Sequence, residues 1–292
     1  MIATSQPIES GAAPTLHECP PSCVLKNRSG TFCPSSETDV AMDCWNKATR
    51  RAVERSVTQE NENTVVTATV SVVIPTLNEA GNLPYVLNSL PKWVDEVVLV
   101  DGRSKDDTER VAMTLQPSIR IVRVTTPGKG AALKAGLASA TGDVRIAIDA
   151  DGSMDGGELA LFRDAIVNGA QYVKGSRFAP GAGSADITPF RRFGDWGICM
   201  LINVLFGHKY SDATYGYFAV RGDCVDALRI DSNGFEVETL IGIRAQRARL
   251  RIAEVPCFEA ERIHGSSNLS ALRDGLRIAR TIVTERLRAY HV

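Results

Sequence analysis

From Val70 onward the chain alternates short β-branched runs with stretches of helical periodicity, and a sheet of largely parallel strands crossed over by helices is the fold class that satisfies this texture. Val70 to Ile74, Glu96 to Val100, Ile119 to Val124 and Val144 to Ile148 read as strands. Helical segments around Leu83 to Leu90, Thr108 to Leu115 and Ala131 to Ala140 lie between them. In such a sheet, ligands collect outside the carboxyl ends of the strands, so polar residues at those ends carry the information about function. Four ends are distinctive: Pro75-Thr76-Leu77-Asn78-Glu79, Asp101-Gly102-Arg103-Ser104, Pro127-Gly128-Lys129-Gly130 and Asp149-Ala150-Asp151-Gly152. The later half reads as a helix from Phe190 to Phe206, a strand from Tyr215 to Arg221, a helix from Glu236 to Ala248, a strand from Arg251 to Val255 and a long helix from Leu269.

The expected division is an extension over 1–65 and a catalytic domain over 66–292, the latter split at 152 into a nucleotide-binding half and an acceptor-binding half (153–292). The extension is rich in Ser, Pro, Thr, Asn and charge, and reads as a flexible appendage. It holds Cys19, Cys23, Cys33 and Cys44 beside His17, which admits either a zinc site or incidental thiols, without paired-knuckle spacing. Cys199, Cys224 and Cys257 read as small buried apolar residues.

With 292 residues and 44% apolar content the chain can bury a large core. Its net charge of −1 provides no global basic field for nucleic acid. The densest apolar run, Ile198 to Phe206, is shorter than the roughly 20 residues a membrane span needs, and Met1 to Ser5 lacks a secretory signal, so a cytoplasmic location is expected.

Two Asp residues two positions apart, just past a buried strand, can direct oxygen ligands into one pocket. Mg²⁺ or Mn²⁺ suits such a pair, because these ions prefer oxygen and complete their shell with water and substrate phosphates. Alone, Asp149-Ala150-Asp151-Gly152 is equally a polar turn; its place at a strand end beside three other polar loops favours chemistry.

Taken together these stretches resemble a family 2 glycosyltransferase of the GT-A fold, in the branch of the dolichol-phosphate mannosyltransferases, over roughly Val70 to Leu287. Gly175-Ser176-Arg177-Phe178, Asp212 to Tyr217, Glu254-Val255-Pro256, Arg262 and Gly265-Ser266 complete the match. The resemblance implies that Pro75, Thr76, Asn78, Glu79 and Lys129 cradle the nucleotide and that Asp101 meets its base. Asp149 and Asp151 would hold sugar, diphosphate and metal. Arg177, Arg192, Arg262 and Ser266 would contact phosphate or acceptor, with Arg191 a companion to Arg192. Asp212 occupies the position where relatives using a hydroxyl acceptor place a base, and Glu236 and Glu238 are weaker candidates. The implied reaction is an inverting transfer of a hexose from a GDP- or UDP-sugar to a polyprenyl phosphate. A hydroxyl of a polysaccharide or small metabolite is the alternative acceptor, and a nucleotide-binding or nucleotidyltransferase protein a distant third reading.

Three positions depart from the branch: Ser153 replaces a metal-assisting side chain, Ser266-Ser267-Asn268 lacks a terminal Lys, and Asp101-Gly102-Arg103 lacks a second acid. On the last helix Arg273, Arg277, Arg280 and Arg288 share a broad sector beside Leu272, Leu276, Ala279, Val283 and Leu287. With the apolar segment Trp196 to Phe206, this sector fits peripheral contact with an anionic membrane face.

Overall fold

The computed structural model describes residues 68–207, 210–265 and 271–288. The N-terminal cysteines, His17 and Ser266 lie outside these residues.

Seven strands form one sheet: β1 (Val70–Thr76), β2 (Glu96–Asp101), β3 (Arg120–Arg123), β4 (Val144–Ala147), β5 (Tyr172–Ser176), β7 (Phe218–Arg221) and β8 (Ile252–Pro256). Their order is β3-β2-β1-β4-β7-β5-β8. Every pairing is parallel except those of β7, which runs antiparallel to both β4 and β5. The central strands are nearly continuous runs of buried Val, Ile and Leu, as expected of a sheet covered on both faces. A second, two-stranded sheet pairs β6 (Gly183–Ser184) with β9 (Phe258–Glu259).

Helices α1 (Leu83–Ser89), α2 (Thr108–Leu115), α3 (Lys129–Ser139) and α4 (Leu159–Val167) accompany the parallel strands, and α5 (Pro189–Phe206), α6 (Val237–Arg247) and α7 (Ala271–Leu287) build the later half. Two apolar clusters result. One, including Val73, Val98, Leu133 and Leu137, joins the sheet to α3 and continues to Ile202, Ile241 and Ile282 of α5, α6 and α7. The other packs Val72, Ile74 and Leu99 with Leu83, Phe162 and Tyr217. Gly136 admits the closest approach of α3 to the sheet: a Cβ there would lie 2.4 Å from Val73 Cγ1 and 2.7 Å from Val100 Cγ2.

Strand order reverses between β1 and β4, since the chain goes outward to β2 and β3 and then returns to the other side of β1. This is the topological switch point at which a crevice opens beyond the carboxyl ends of the strands. Because β7 is antiparallel, its amino end lies at that edge, and the segment leading into it, Asp212 to Tyr217, joins the crevice.

Candidate active site

Asp149 and Asp151 stand just past β4, on the β4 side of the switch point. Each is matched with a cation from another element. Lys129, the first residue of α3, places its Nζ 2.6 Å from Asp149 Oδ1 and also pairs with the carboxylate of Glu238 in α6. Arg262 places Nη2 2.8 Å from Asp151 Oδ2 and Nη1 3.3 Å from Glu79 Oε1. Ser153 turns back onto Asp151, donating from its backbone N (3.0 Å) and its hydroxyl (2.7 Å) to Oδ1.

Burial alone would depress the Lys129 ammonium, but the Asp149 and Glu238 carboxylates outweigh it and hold the group above lysine's ordinary range. Burial pushes the Glu238 carboxyl up, with Lys129 pulling the other way. The three charges meet around Gly216: a Cβ there would fall 2.7 Å from Glu238 Oε1 and 2.9 Å from both Asp149 Oδ2 and Lys129 Nζ. Asp149 and Asp151 are the oxygen donors able to hold a hard cation, and Ser153 supports the second rather than adding a third. Among the described residues no group of three or more His, Cys, Asp or Glu side chains could enclose a metal. An ion here would take the rest of its shell from a ligand and water.

The loops after β1 and β2 are zipped into one wall. Asn78 N donates to Ser104 Oγ (2.9 Å), Lys105 N to Asn78 Oδ1 (2.7 Å), Glu79 N to Thr108 Oγ1 (2.9 Å), and Ala80 N to Asp106 Oδ2 (3.1 Å). Asn78 adopts a positive φ of 59°, which this residue type tolerates better than most. Asp101 is buried at the end of β2 and accepts from Arg103 N (2.9 Å) and Ser104 N (3.0 Å), so its carboxylate shapes the loop that forms the wall. Thr76 donates to Val100 O (3.1 Å) and ties the two strand ends together beside Pro75. Burial raises the Glu79 carboxyl, against hydrogen bonds from Asn82 and the charge of Arg262.

On the other side of the crevice, Arg177 and Asp212 form a buried pair. Arg177 Nε lies 2.7 Å from Asp212 Oδ2 and Nη2 lies 3.1 Å from Oδ1, while Nη1 reaches Glu259 Oε2 at 3.2 Å. Asp212 also accepts from the backbone N of Arg177, Thr214 and Tyr215. Burial would raise its pKa; the guanidinium and these donors overcome that and hold it below the usual carboxylate range. Both oxygens of Asp212 are thus occupied by donors from Arg177, Thr214 and Tyr215. Arg177 is equally committed, and an acceptor phosphate would have to replace one of its carboxylates.

Two groups extend this cluster. Asp195, buried within α5, accepts from Thr214 Oγ1, whose oxygen also receives Arg177 Nη2; burial and the neighbouring Asp212 push its carboxyl up to about 6. Lys174, fully buried on β5, donates to Tyr215 O and is depressed by burial despite Glu238 and Asp212 nearby.

Beside this cluster an apolar groove of about 670 Å³ is lined by Phe178, Trp196, Cys199, Met200, Val204 and Tyr210 along α5. Arg192 lies at the groove with its guanidinium 5.4 Å from the centre of the Phe178 ring, and among the described residues it has no ion-pair partner. Arg191 is engaged with Asp186 at 3.0 Å. The structure therefore brings together Glu79, Lys129, Asp149, Asp151 and Arg262, and gathers Arg177 with Asp212 apart from them. The pairing of Lys129 with Glu238, and the presence of Asp195, Lys174 and Glu259, were not legible beforehand. The one available sign was that Asp195 is the single charged residue between Phe193 and Phe206.

Comparison with known proteins identifies the family and the fold. The model of the glycosyl transferase family 2 matches residues 71–228. The chain is 34% identical over 213 residues to an undecaprenyl-phosphate mannosyltransferase of Micrococcus luteus, covering 69% of this chain and 87% of that protein. It is 31% identical over 216 residues to a polyprenol monophosphomannose synthase of Mycolicibacterium smegmatis, covering 68% and 80%. Among solved structures, glucosyl-3-phosphoglycerate synthase of Mycobacterium tuberculosis, in complex with Mn²⁺, UDP and glucosyl-3-phosphoglycerate, superposes with a TM-score of 0.60 at 24% identity, over 78% of this chain and 85% of that one.

Proposed function

The chain belongs to glycosyl transferase family 2 and is a glycosyltransferase of the GT-A fold, and on that premise we propose that it moves a hexose from a GDP- or UDP-sugar to the phosphate of a polyprenyl carrier. The observation that carries the donor half is the set of ion pairs in which Lys129 lies between Asp149 and Glu238 and Arg262 between Asp151 and Glu79. A diphosphate complexed with a divalent cation brings charges of both signs, so it can exchange with both clusters without leaving an isolated charge in the crevice. Asp149 and Asp151 would hold Mg²⁺ or Mn²⁺, whose positive charge opposes the negative charge growing on the departing diphosphate. Lys129 and Arg262, released from the carboxylates, would meet the phosphate oxygens, and the zipped wall at Pro75 to Glu79 and Asp101 would flank the nucleoside.

The acceptor half is supported by the state of Asp212. A hydroxyl acceptor needs a base, whereas a phosphate monoester is already ionised near neutral pH and attacks the anomeric carbon directly. With Asp212 buried and saturated by Arg177, a phosphate held at Arg192 rather than at Arg177 requires no rearrangement of that pair. Arg192 offers a guanidinium with no competing ion pair among the described residues, and the adjoining groove suits an isoprenoid chain. In one in-line displacement the phosphate oxygen forms its bond to the anomeric carbon as the bond to the nucleoside diphosphate breaks, turning an α-linked donor into a β-linked product. Phe190, Phe193, Trp196, Met200 and Val204 project from α5 into solvent, a face fitted to contact with the bilayer that holds such a carrier. No helix among the described residues is long and apolar enough to cross a membrane.

The test is product analysis with radiolabelled UDP- and GDP-hexoses, Mn²⁺ and a polyprenyl phosphate. A lipid product that releases its sugar in mild acid is expected. An acid-stable glycoside, or turnover unaffected by chelation of divalent ions, would overturn the reading.

A further inference from the structure

α7 presents three kinds of surface. Ile278 and Ile282 are buried in the core, whereas Leu276, Val283 and Leu287 are 67%, 47% and 81% exposed. At about 100° per residue, Arg273, Arg280, Arg277 and Arg288 fall in a row directly beside that exposed apolar stripe. Arg277, Arg280 and Arg288 of this row form one lip of a polar cleft of about 520 Å³; the opposite lip is the loop 231–236, and Arg244 lies between them.

The charges in the cleft are unevenly satisfied. Arg244 is buried against Glu285 (3.1 Å) and Asp231 (2.8 Å), and Arg288 reaches Asp231 at 2.9 Å. Arg277 lies 3.9 Å from Glu236 and 3.8 Å from Asp274, at the outer limit of ion pairing, and is half exposed. Arg280 makes no ion pair among the described residues. Glu236 Oε2 is buried with no hydrogen-bond donor among the described residues. The cleft thus combines two guanidinium groups open to an anion, an acceptor lacking a donor, and a greasy stripe outside its basic lip.

We propose that this cleft holds the headgroup of an anionic, hydroxyl-bearing phospholipid. Its phosphate lies on Arg277 and Arg280, a headgroup hydroxyl donates to Glu236, and its acyl chains run beside Leu276, Val283 and Leu287. The site is separate from the acceptor groove and does not rest on the identity of the acceptor. It also touches the donor crevice through one loop: Asn233 O accepts from Gly130 N at 3.0 Å, and Gly130 follows Lys129 at the start of α3. A headgroup that fixes the loop 231–236 fixes that end of α3, so lipid binding tightens nucleotide binding.

The test uses the full chain and vesicles of phosphatidylcholine with or without phosphatidylglycerol. Co-sedimentation is expected only with the anionic vesicles, and the Arg277→Gln/Arg280→Gln double variant should partition about 30-fold more weakly, at roughly fivefold per arginine. Both side chains are on the surface, and an unchanged melting temperature confirms the fold. GDP and UDP affinities, measured with and without vesicles, should rise only for the parent chain. Undiminished partitioning of the double variant would overturn the site in favour of docking by α5 alone. Arginine-dependent binding of glycerol 3-phosphate without any vesicle binding would overturn the lipid assignment. A vesicle effect confined to sedimentation would overturn the coupling to the donor crevice.

Discussion

Gly130 offers a sharp test of how the start of α3 meets the acceptor half. In most helices Gly→Ala stabilises, by about 1 kcal/mol, because alanine loses less backbone entropy on folding. At Gly130 a Cβ would stand 2.0 Å from Ser232 O, 2.8 Å from Ser232 C and 3.0 Å from Asn233 Cα. Ordinary contact begins near 3.4 Å, so the loop backbone must retreat by roughly 1.4 Å, and backbone cannot swing aside as a flexible side chain can. Retreat also stretches the 3.0 Å hydrogen bond from Gly130 N to Asn233 O, worth about 0.5–1.5 kcal/mol net. Overpacking of about 1–3 kcal/mol together with that loss exceeds the helical gain, so Gly130→Ala should destabilise by roughly 1–3 kcal/mol, at about 2–4 °C of melting temperature per kcal/mol. Gly275 in α7 is the internal control, since a Cβ there meets nothing within 4 Å, and Gly275→Ala should stabilise by about 0.5–1 kcal/mol. Calorimetric or fluorescence melts of both variants, with nucleotide titrations, make the measurement. A Gly130→Ala protein as stable as the parent, binding nucleotide equally well, would refute the reasoning.

Asp151→Asn should lower transfer on the order of a hundredfold or more while leaving the melting temperature nearly unchanged, because it removes charge at the leaving group and not packing. Arg177→Met leaves Asp212 buried without its guanidinium and should cost about 3–5 kcal/mol in urea denaturation. Burial, with the nearby charge of Asp155 adding to it, pushes the Glu158 carboxyl up to about 7, against hydrogen bonds from Phe258 N and Cys257. Between its ordinary 4.5 and about 7, Glu158 is protonated when folded and ionised when unfolded, so its contribution makes stability fall as pH rises through that window and level off above it. Glu158→Gln should remove that slope, raising the melting temperature at pH 8 relative to the parent but not at pH 4; equal differences at both pH values would refute the assignment.

Local physics made the donor half legible. β-branched runs announced β1, β2 and β4, and a strand-end rule then located Asp149, Asp151 and the loops at Asn78 and Asp101 without reference to tertiary contacts. What escaped is what only the assembled sheet decides. The direction of β7 is invisible in Phe218 to Arg221, since a short apolar run buried on both faces reads the same either way. β5 and α4 were not anticipated as elements at all; only Gly175 to Phe178 of that stretch had drawn notice. Lys129 read as a nucleotide contact at a strand end, and nothing local pointed to Glu238, 109 positions later, as its partner. Arg177 and Asp212 each read as substrate contacts through the resemblance; that each would be spent on the other depends on a tertiary meeting of residues 35 positions apart.

The reversed strand has a consequence for how this scaffold can vary. A parallel strand contributes to the crevice through the loop that leaves it, but β7 contributes through the segment that arrives, so everything from Arg177 to Tyr217 enters and completes the acceptor side before the chain returns to the sheet. That stretch is in effect a cassette clamped between β5 and β7, whose mutual ladder fixes its two ends. Apart from its last turn at Gly216, which packs beside Asp149 and Lys129, its length and lining can drift, or be exchanged by an engineer, without disturbing β1, β2 and β4, where we propose the donor is held. On the proposed division of donor and acceptor sides, one nucleotide-sugar half can thus be coupled to many acceptors by replacing most of a single contiguous piece of chain.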